Sequence, residues 1–509
     1  MSYIVEQKIN NRVYLYEVEA YWDKEKGQSR QRRKYLGVKD PVTGLPKTPR
    51  KGIAPKAVLE HGKVWLLGKL AENIHLKETL RKAFGGDWKK VFDLACFDLL
   101  EDKGFHLYGD WAESAWDANR ELRTSQDISR FFKGLDERSI RLFQNFWLRR
   151  HGGRKAVAFD ITSISSYSDG MDSVEWGYNR DGERLPQVNM GLAVNCESGV
   201  PVAYRLFPGS LPDVRTLTRL VDEFKSQVKL EELVLDRGFH SEMNIKRLVD
   251  GGVDFLMGLP FNSKHARKML AISRVDRAEN AFVFNGRHVF STTRRVNAGG
   301  RRCDVHLFLD EERRACEARR FFNKIDGVER HFEGAPFSRL DDLRSAVESF
   351  SKGMAGYFTL EVVAGKAVLA RDTKKMDERM KRMGKMVLIS SRTGRSSEEV
   401  LEAYYRRDIV EKYFDALKNK MGNDRLRTHS DSTAKGRMFV AVIGLLLYSA
   451  LFTAWKKSKL RAEMPMTSVL SAMGSLKAVE RSDGAYRLTE ITKKQRRVIK
   501  ELGLTPPVM

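Results

Sequence analysis

The chain has 509 residues, with 91 Lys+Arg against 67 Asp+Glu, a formal net charge of +24 and a pI near 9.7. At roughly 100–200 residues per domain this length gives two to four domains and a real core. Hydrophobic residues at 42% and aromatics at 10% exclude a mostly disordered basic tail protein.

The positive excess recurs at Arg30–Lys34, Lys264–Lys268, Arg294–Arg302, Lys374–Lys385 and Lys493–Lys500. Charge spread in this way suits a long polyanion, DNA or RNA first; a basic but unspecialised surface is the plainer reading. The four cysteines (Cys96, Cys196, Cys303, Cys316) form no C-x-x-C pair, so neither a disulfide framework nor a Cys-based zinc site is expected, and a reducing cytosol fits. Met1–Glu6 lacks the charged-then-apolar pattern of a signal peptide.

Residues 1–50 alternate at Val13–Trp22 and break at Asp40-Pro41-Val42-Thr43-Gly44, which predicts a β-hairpin unit with a basic linker running to about Pro55. From Ala57 to about Arg150 the period turns helical. Within it, Ser125–Lys133, Gly134 and Asp136–Arg150 read as helix, tight turn, helix. That shape suits a helix-turn-helix DNA reader and equally two members of any bundle.

Residues 155–260 read as three strands (KAVAFDITSIS, PQVNMGLAVN, PVAYRLFPG), a helix at Asp213–Gln227, a strand (LEELVLD), a helix at Ser241–Asp250 and a strand (DFLMGL). This predicts an α/β (mixed α+β) sheet with helical cover. Residues 262–383 read as a β-rich insertion with one charged helix, Glu311–Phe322. GKMVLISS then resumes an apolar strand, and Ser396–Lys420 reads as one strong helix opened by a capping box, Ser396 with Glu399. The apolar run Phe439–Trp455 falls slightly short of the ~20 residues a spanning helix wants, and reads as a buried helix of a soluble chain. The resulting organisation is 1–55 hairpin and linker, 56–152 helical, 153–261 first part of the core, 262–383 insertion, 384–455 second part of the core, and 456–509 a helical C-terminal region.

Two aspartates stand out. Asp160 interrupts the apolar run AVAF-D-I and Asp236 ends LVL-D. A carboxylate in or closing a buried strand is costly unless it is hydrogen-bonded or binds a cation. Asp236-Arg237-Gly238 is also an ordinary turn opener, and Asp160 also fits a hydrogen-bonded strand position. On the helix, Tyr404, Arg407, Glu411 and Lys418 lie at about 0°, 300°, 340° and 320° for ~100° per residue, one narrow stripe. Periodicity alone leaves a solvated face equally open.

These segments resemble the bacterial insertion-sequence transposases of the DDE type, in the group marked by a Tyr-Arg-Glu-Lys signature. Tyr404, Arg407, Glu411 and Lys418 match the spacing Y-(2)-R-(3)-E-(6)-K without a gap. FDITSIS resembles that family's first catalytic-aspartate segment, and Val234–Ile245 (VLDRGFHSEMNI) its second. Trp176–Val194 and Tyr204–Leu217 are similar to its intervening segments.

The resemblance implies a ribonuclease-H-like core interrupted by the insertion, with Asp160 and Asp236 on adjacent strands and Glu411 on a helix facing them. It further implies catalytic and metal-binding roles for Asp160, Asp236 and Glu411 and two Mg²⁺ ions, with Mn²⁺ as a substitute, roughly 4 Å apart. Phosphate-binding roles go with Tyr404, Arg407 and Lys418 beside Glu411. The downstream Arg425, Arg427 and His429 read either as an extension of that backbone contact or as a solvated loop, and Asn179 and His240, near the motif segments, read as supporting groups. The activity implied is cleavage at the terminal inverted repeats of an insertion sequence and joining of the 3′-hydroxyls to target DNA. A homodimer holding two double-stranded DNA ends, in a bacterial cytoplasm beside the nucleoid, goes with it.

The alternatives are a non-catalytic DNA-binding protein of transposase descent and a nuclease with the same core. One departure matters: relatives that form hairpin ends stack a flipped base on a tryptophan of the insertion, and residues 262–400 contain none. Phe282, Phe284, Phe290 or Tyr357 would have to serve.

Overall fold

The computed structural model describes all residues except 1, 10–11, 24–25, 42, 48–55, 102, 154–155, 169, 212–215, 218–229, 273–274, 276–277, 482 and 509. The N-terminal region is a four-stranded antiparallel meander in place of the expected hairpin: β1 (Ser2–Ile9), β2 (Arg12–Asp23), β3 (Gln28–Lys39) and β4 (Pro46–Lys47). The third strand hides from pattern reading because QSRQRRK carries no apolar alternation. The expected turn closes it, with Gly44 N–H donating to Asp40 O at 2.9 Å and Gly44 at φ +68°. The predicted linker lies largely outside the described residues.

Strand β5 (Ala57–Glu60) leads into helices Gly62–Asn73, Leu76–Phe84, Trp88–Leu100 and Tyr108–Ser114. The expected helix pair forms at Ser125–Gly134 and Glu137–His151, started by a Thr124/Asp127 capping box and an Asp136 cap on Ser139 N–H. Both helices are packed members of the bundle: Ile128, Phe132, Ile140, Phe143 and Trp147 are buried, and Trp147 Nε1 donates to Pro201 O at 2.7 Å.

The helical bundle packs around helix Asp431–Lys457. It is long and apolar enough to cross a membrane, yet 78% of its apolar window is buried inside the chain. Its glycines permit that burial. A Cβ at Gly436 would lie 2.1 Å from Phe132 O, so the helix pair meets backbone to backbone there.

Among the described residues the central sheet has nine strands, in the order Ala281–Phe284, Arg287–Ala298, Arg301–Asp310, Lys385–Ser390, Asp254–Gly258, Glu232–Leu235, Ala156–Ser165, Gln187–Asn195 and Pro201–Pro208. Strands β6 (Ala156–Ser165), β7 (Gln187–Asn195) and β8 (Pro201–Pro208) form an antiparallel meander. Strands β9 (Glu232–Leu235) and β10 (Asp254–Gly258) add in parallel to β6. Of the helix expected at Asp213–Gln227 only residues 216–217 are described. Strands β11 (Ala281–Phe284), β12 (Arg287–Ala298), β13 (Arg301–Asp310) and β16 (Lys385–Ser390) extend the sheet in antiparallel fashion.

Side-chain parity decides which way the key residues face. Val157, Phe159, Leu233 and Leu235 pack on one side under helices Glu242–Asp250 and Lys264–Leu270, while Ala158 and Val234 pack on the bundle side. Asp160 and Asp236 share the parity of Ala158 and Val234, so both point toward the bundle.

Beyond β13 the insertion is more helical than its sequence suggests. Helix Glu311–Phe332 runs ten residues past the expected end at Phe322, and helices Leu340–Phe350 and Thr373–Met380 flank the hairpin β14 (Phe358–Val363) and β15 (Lys366–Arg371). Phe321, Ile325, Val328, Leu343, Val347 and Met376 give this module its own core. It joins the sheet at a neck where Asp310 N–H donates to Gly384 O at 2.9 Å.

The C-terminal region adds strands β17 (Lys477–Glu480) and β18 (Tyr486–Leu488), with β17 paired to β5. Its last helix, Lys493–Glu501, packs Val498 and Ile499 inward. The four cysteines are free thiols.

Candidate active site

Phe159 pairs with Leu235 across the parallel β6–β9 ladder, so Asp160 and Asp236 follow side by side. Asp160 is 13% exposed at its side chain. Its Oδ1 accepts from Ile161 N–H at 2.8 Å and lies 3.6 Å from Arg180 Nη1. Burial pushes its carboxyl up to about 6, against the pull of Arg180 and Arg407, and Asp236 adds to the rise. Asp236 follows the last residue of β9 and precedes the turn Arg237–Phe239 without a side-chain cap on it.

The helix expected at Ser396–Lys420 is three pieces. The Ser396/Glu399 capping box opens Ser397–Tyr405 as read from sequence. The chain then turns at Arg406–Arg407, continues as Asp408–Asp415, and widens into a π turn at Ala416–Lys420. Of the four signature residues, Tyr404, Arg407 and Glu411 meet at the acids, and Lys418 pairs with Asp181 of the neighbouring loop.

Tyr404 Oη donates to Asp236 Oδ1 at 3.2 Å. Burial and then the Asp236 carboxylate raise its phenol above the usual range. Arg407, with its side chain 10% exposed, donates from Nη1 to Asp160 Oδ2 at 3.3 Å and from Nη2 to Glu411 Oε1 at 2.9 Å, and Nη2 lies 3.9 Å from Asp236 Oδ1. One guanidinium therefore ties together the three acids singled out in the sequence. Burial works against its charge, but Tyr404 and the three carboxylates outweigh that and raise its pKa.

Lys418 stands apart from this cluster. Its Nζ is 2.6 Å from Asp181 Oδ2, on the loop between β6 and β7, next to Arg180. Arg425 grips Glu183 of the same loop with both Nη atoms, and Arg427 is exposed beside Asp424. His429 is exposed, His240 is half-buried with Nε2 unpartnered, and Asn179 is buried, donating to Ser165 Oγ at 3.0 Å. The four insertion aromatics Phe282, Phe284, Phe290 and Tyr357 are all half-buried; Phe284 packs against Tyr405 with ring centroids 5.1 Å apart.

Two contributors escape the sequence reading. Arg180 is visible only as one of several charges in WGYNRDGERL, although a buried carboxylate's need for cations is the signal that points to it. Gly258 ends β10 where a Cβ would lie 2.8 Å from Tyr404 Oη; only glycine leaves the room by which that hydroxyl reaches Asp236.

Beside the acids a cleft of about 620 Å³ is lined by Asp236 and Glu411 together with Arg313, Arg379 and Arg382 of the insertion. An all-oxygen carboxylate set is the donor chemistry of Mg²⁺ and Mn²⁺. The three acids here are spaced for a guanidinium, and among the described residues no three ligands already stand at ion-holding distance. The Glu411 side chain is 58% exposed, and Arg407 keeps a buried, unpartnered Nε. The donor chemistry of the three acids is that of a divalent ion, and in this structure Arg407 stands between them.

A carboxylate on one strand, a second just past the end of its parallel neighbour and a third on a facing helix form the arrangement that the resemblance to DDE transposases implies. A family model described as the transposase DDE domain matches residues 151–447, which contain all three acids. Among solved structures, a cryo-EM synaptic complex of piggyBac transposase with hairpin DNA is similar at 11% identity and a TM-score of 0.40, with 84% of this chain and 82% of that chain covered. No curated protein matches the sequence. With more than half of its length under that model, the chain belongs to the DDE transposase family.

Proposed function

We propose that this chain is an active DNA transposase. It binds the terminal inverted repeats of an insertion sequence, cleaves the element ends by metal-dependent hydrolysis and joins the 3′-hydroxyls to target DNA. The observation that carries the reading is the gathering of Asp160, Asp236 and Glu411 around Arg407 from segments far apart in the chain.

In this reading Asp160, Asp236 and Glu411 hold the Mg²⁺ or Mn²⁺ ions. Bound there, such a pair supplies activation of the attacking oxygen and charge stabilisation of the leaving 3′-oxygen. Arg407, released from the neutralised acids, turns its fork to the phosphate beside the scissile bond, and the Tyr404 hydroxyl holds Asp236 in orientation. Lys418, Arg425 and Arg427 line the approach on the β6–β7 side and contact backbone phosphates, positioning the strand without reading its sequence. The exposed basic strand Gln28–Lys39 and the outer faces of the first helices contact the end duplex. Two protomers in a two-fold complex hold the two ends.

The test is incubation of the full chain with end-sequence duplex, a target plasmid and Mg²⁺. Nicked ends together with covalently joined strand-transfer products support the transposase. Nicks without joined products identify a nuclease, and binding without nicks a non-catalytic descendant.

A further inference from the structure

Three of the most exposed aromatic rings in the described structure belong to one loop, the connection from β6 to β7: Tyr178 at 85%, Tyr167 at 73% and Trp176 at 68% exposure. Apolar rings left in water cost free energy, and a loose loop would fold them back against the surface. This loop cannot. Gly177 lies so close to the sheet that a Cβ would meet Gly209 O at 2.0 Å, Gln187 Nε2 donates to Tyr178 O at 3.0 Å, and Asn179 is buried against Ser165. The backbone is clamped and the rings are turned outward.

The same clamp converges on the acids. Ser165 Oγ accepts from Asn179 Nδ2, Ser165 O accepts from Leu426 N–H at 2.9 Å, and Arg425 lies over the Tyr167 ring at 5.6 Å, so Tyr167 and Tyr178 leave the surface from adjoining points. Two residues after Tyr178, Arg180 reaches to 3.6 Å from Asp160. Two residues of chain span at most about 7 Å, so the backbone of Tyr178 lies close to that of the residue that contacts the acid cluster.

We propose that Trp176 and Tyr178, with Tyr167 at the rim, form a stacking platform for unpaired nucleobases of a DNA strand whose backbone passes the acid cluster. Outward aromatic faces flanked by arginines are the chemistry of single-strand binding: rings take the base faces and cations the phosphates, and the preference is for unstacked strand over duplex. The identity of the strand rests on the transposase reading; the affinity for unpaired bases does not.

The experiment measures anisotropy of fluorescein-labelled (dT)12 and of a 12-bp duplex with the full chain at fixed salt. Trp176→Ala and Tyr178→Ala are each expected to weaken (dT)12 binding about 5- to 100-fold. Duplex affinity stays within about twofold, as does the thermal midpoint within error, because both rings are exposed. Trp176→Phe retains most (dT)12 affinity but loses the tryptophan quenching that (dT)12 causes in the unaltered chain. Unchanged (dT)12 affinity in the Trp176→Ala/Tyr178→Ala double variant overturns the proposal, and so does equal loss of duplex and single strand. Failure of the transposase reading shows elsewhere, as absent cleavage with (dT)12 binding intact.

Discussion

Arg407 donates through Nη1 to Asp160 Oδ2 at 3.3 Å across 247 residues of sequence, and through Nη2 to Glu411 one helical turn away. The guanidinium is an internal counter-ion shared by three acids. Removing it leaves Asp160 buried with only Arg180 nearby. Arg407→Ala is expected to cost about 3 kcal/mol in urea denaturation, and Asp160→Asn in the same chain to return part of it. Additive losses would show that the pair is not coupled.

Gly258 and Tyr404 give a second, independent handle on the same cluster. A methyl group at 258 collides with Tyr404 Oη, 2.8 Å away, and the buried ring has little room to retreat. Gly258→Ala should destabilise by about 1–3 kcal/mol and pull the hydroxyl off Asp236. Adding Tyr404→Phe removes the clashing oxygen, so the double variant should be more stable than Gly258→Ala alone. If it is less stable, the clash is not the cause.

The core also sets a pH dependence. Burial holds His61, His151 and His306 down to about 4, well below their value in an unfolded chain. The unfolded chain therefore binds more protons as pH falls through ~6.5. Their stabilising effect is complete above that pH and is lost between about 6.5 and 4, on the order of 1–3 kcal/mol each. Asp98, raised by burial to about 7, acts with opposite sign and softens the slope. Stability from urea titrations at pH 7, 6 and 5 should fall with acidity, and His61→Phe should flatten the curve. A profile unchanged by that substitution contradicts the assignment.

Much of this site is legible in the sequence because it is written in local patterns. Asp160 inside an apolar strand and Asp236 closing one are visible as costs that need a hydrogen bond or a cation, and strand parity turns both to the same face. The break at Arg406–Arg407 and the π turn at Ala416–Lys420 are not visible, since they come from tertiary packing rather than helix propensity. A straight helix therefore placed Lys418 in the stripe, whereas the structure pairs it with Asp181. Gly258 carries no signal either, because its meaning lies in a tyrosine from a distant segment. The apolar run ending at Trp455 was readable as a core helix, but its close contact with Phe132 depends on Gly436, an unremarkable residue in sequence.

That contact is itself testable. With backbone on the other side, a methyl at Gly436 has no flexible neighbour to push aside. Gly436→Ala should cost about 3 kcal/mol or more in urea denaturation, beyond what the better helix propensity of alanine returns. A neutral or stabilising effect would mean that the two helices do not meet as described.

The central claim is that Asp160, Asp236 and Glu411 form one catalytic cluster. Glu411 tests it most cleanly, because its exposed side chain contributes little to the fold. The measurement is single-turnover nicking of end-sequence duplex in Mg²⁺ by the full chain and by Glu411→Gln, with duplex affinity and thermal midpoint followed in parallel. The expected result is loss of nicking by at least about a hundredfold, with affinity and midpoint preserved. Nicking by Glu411→Gln at the rate of the unaltered chain would contradict the account.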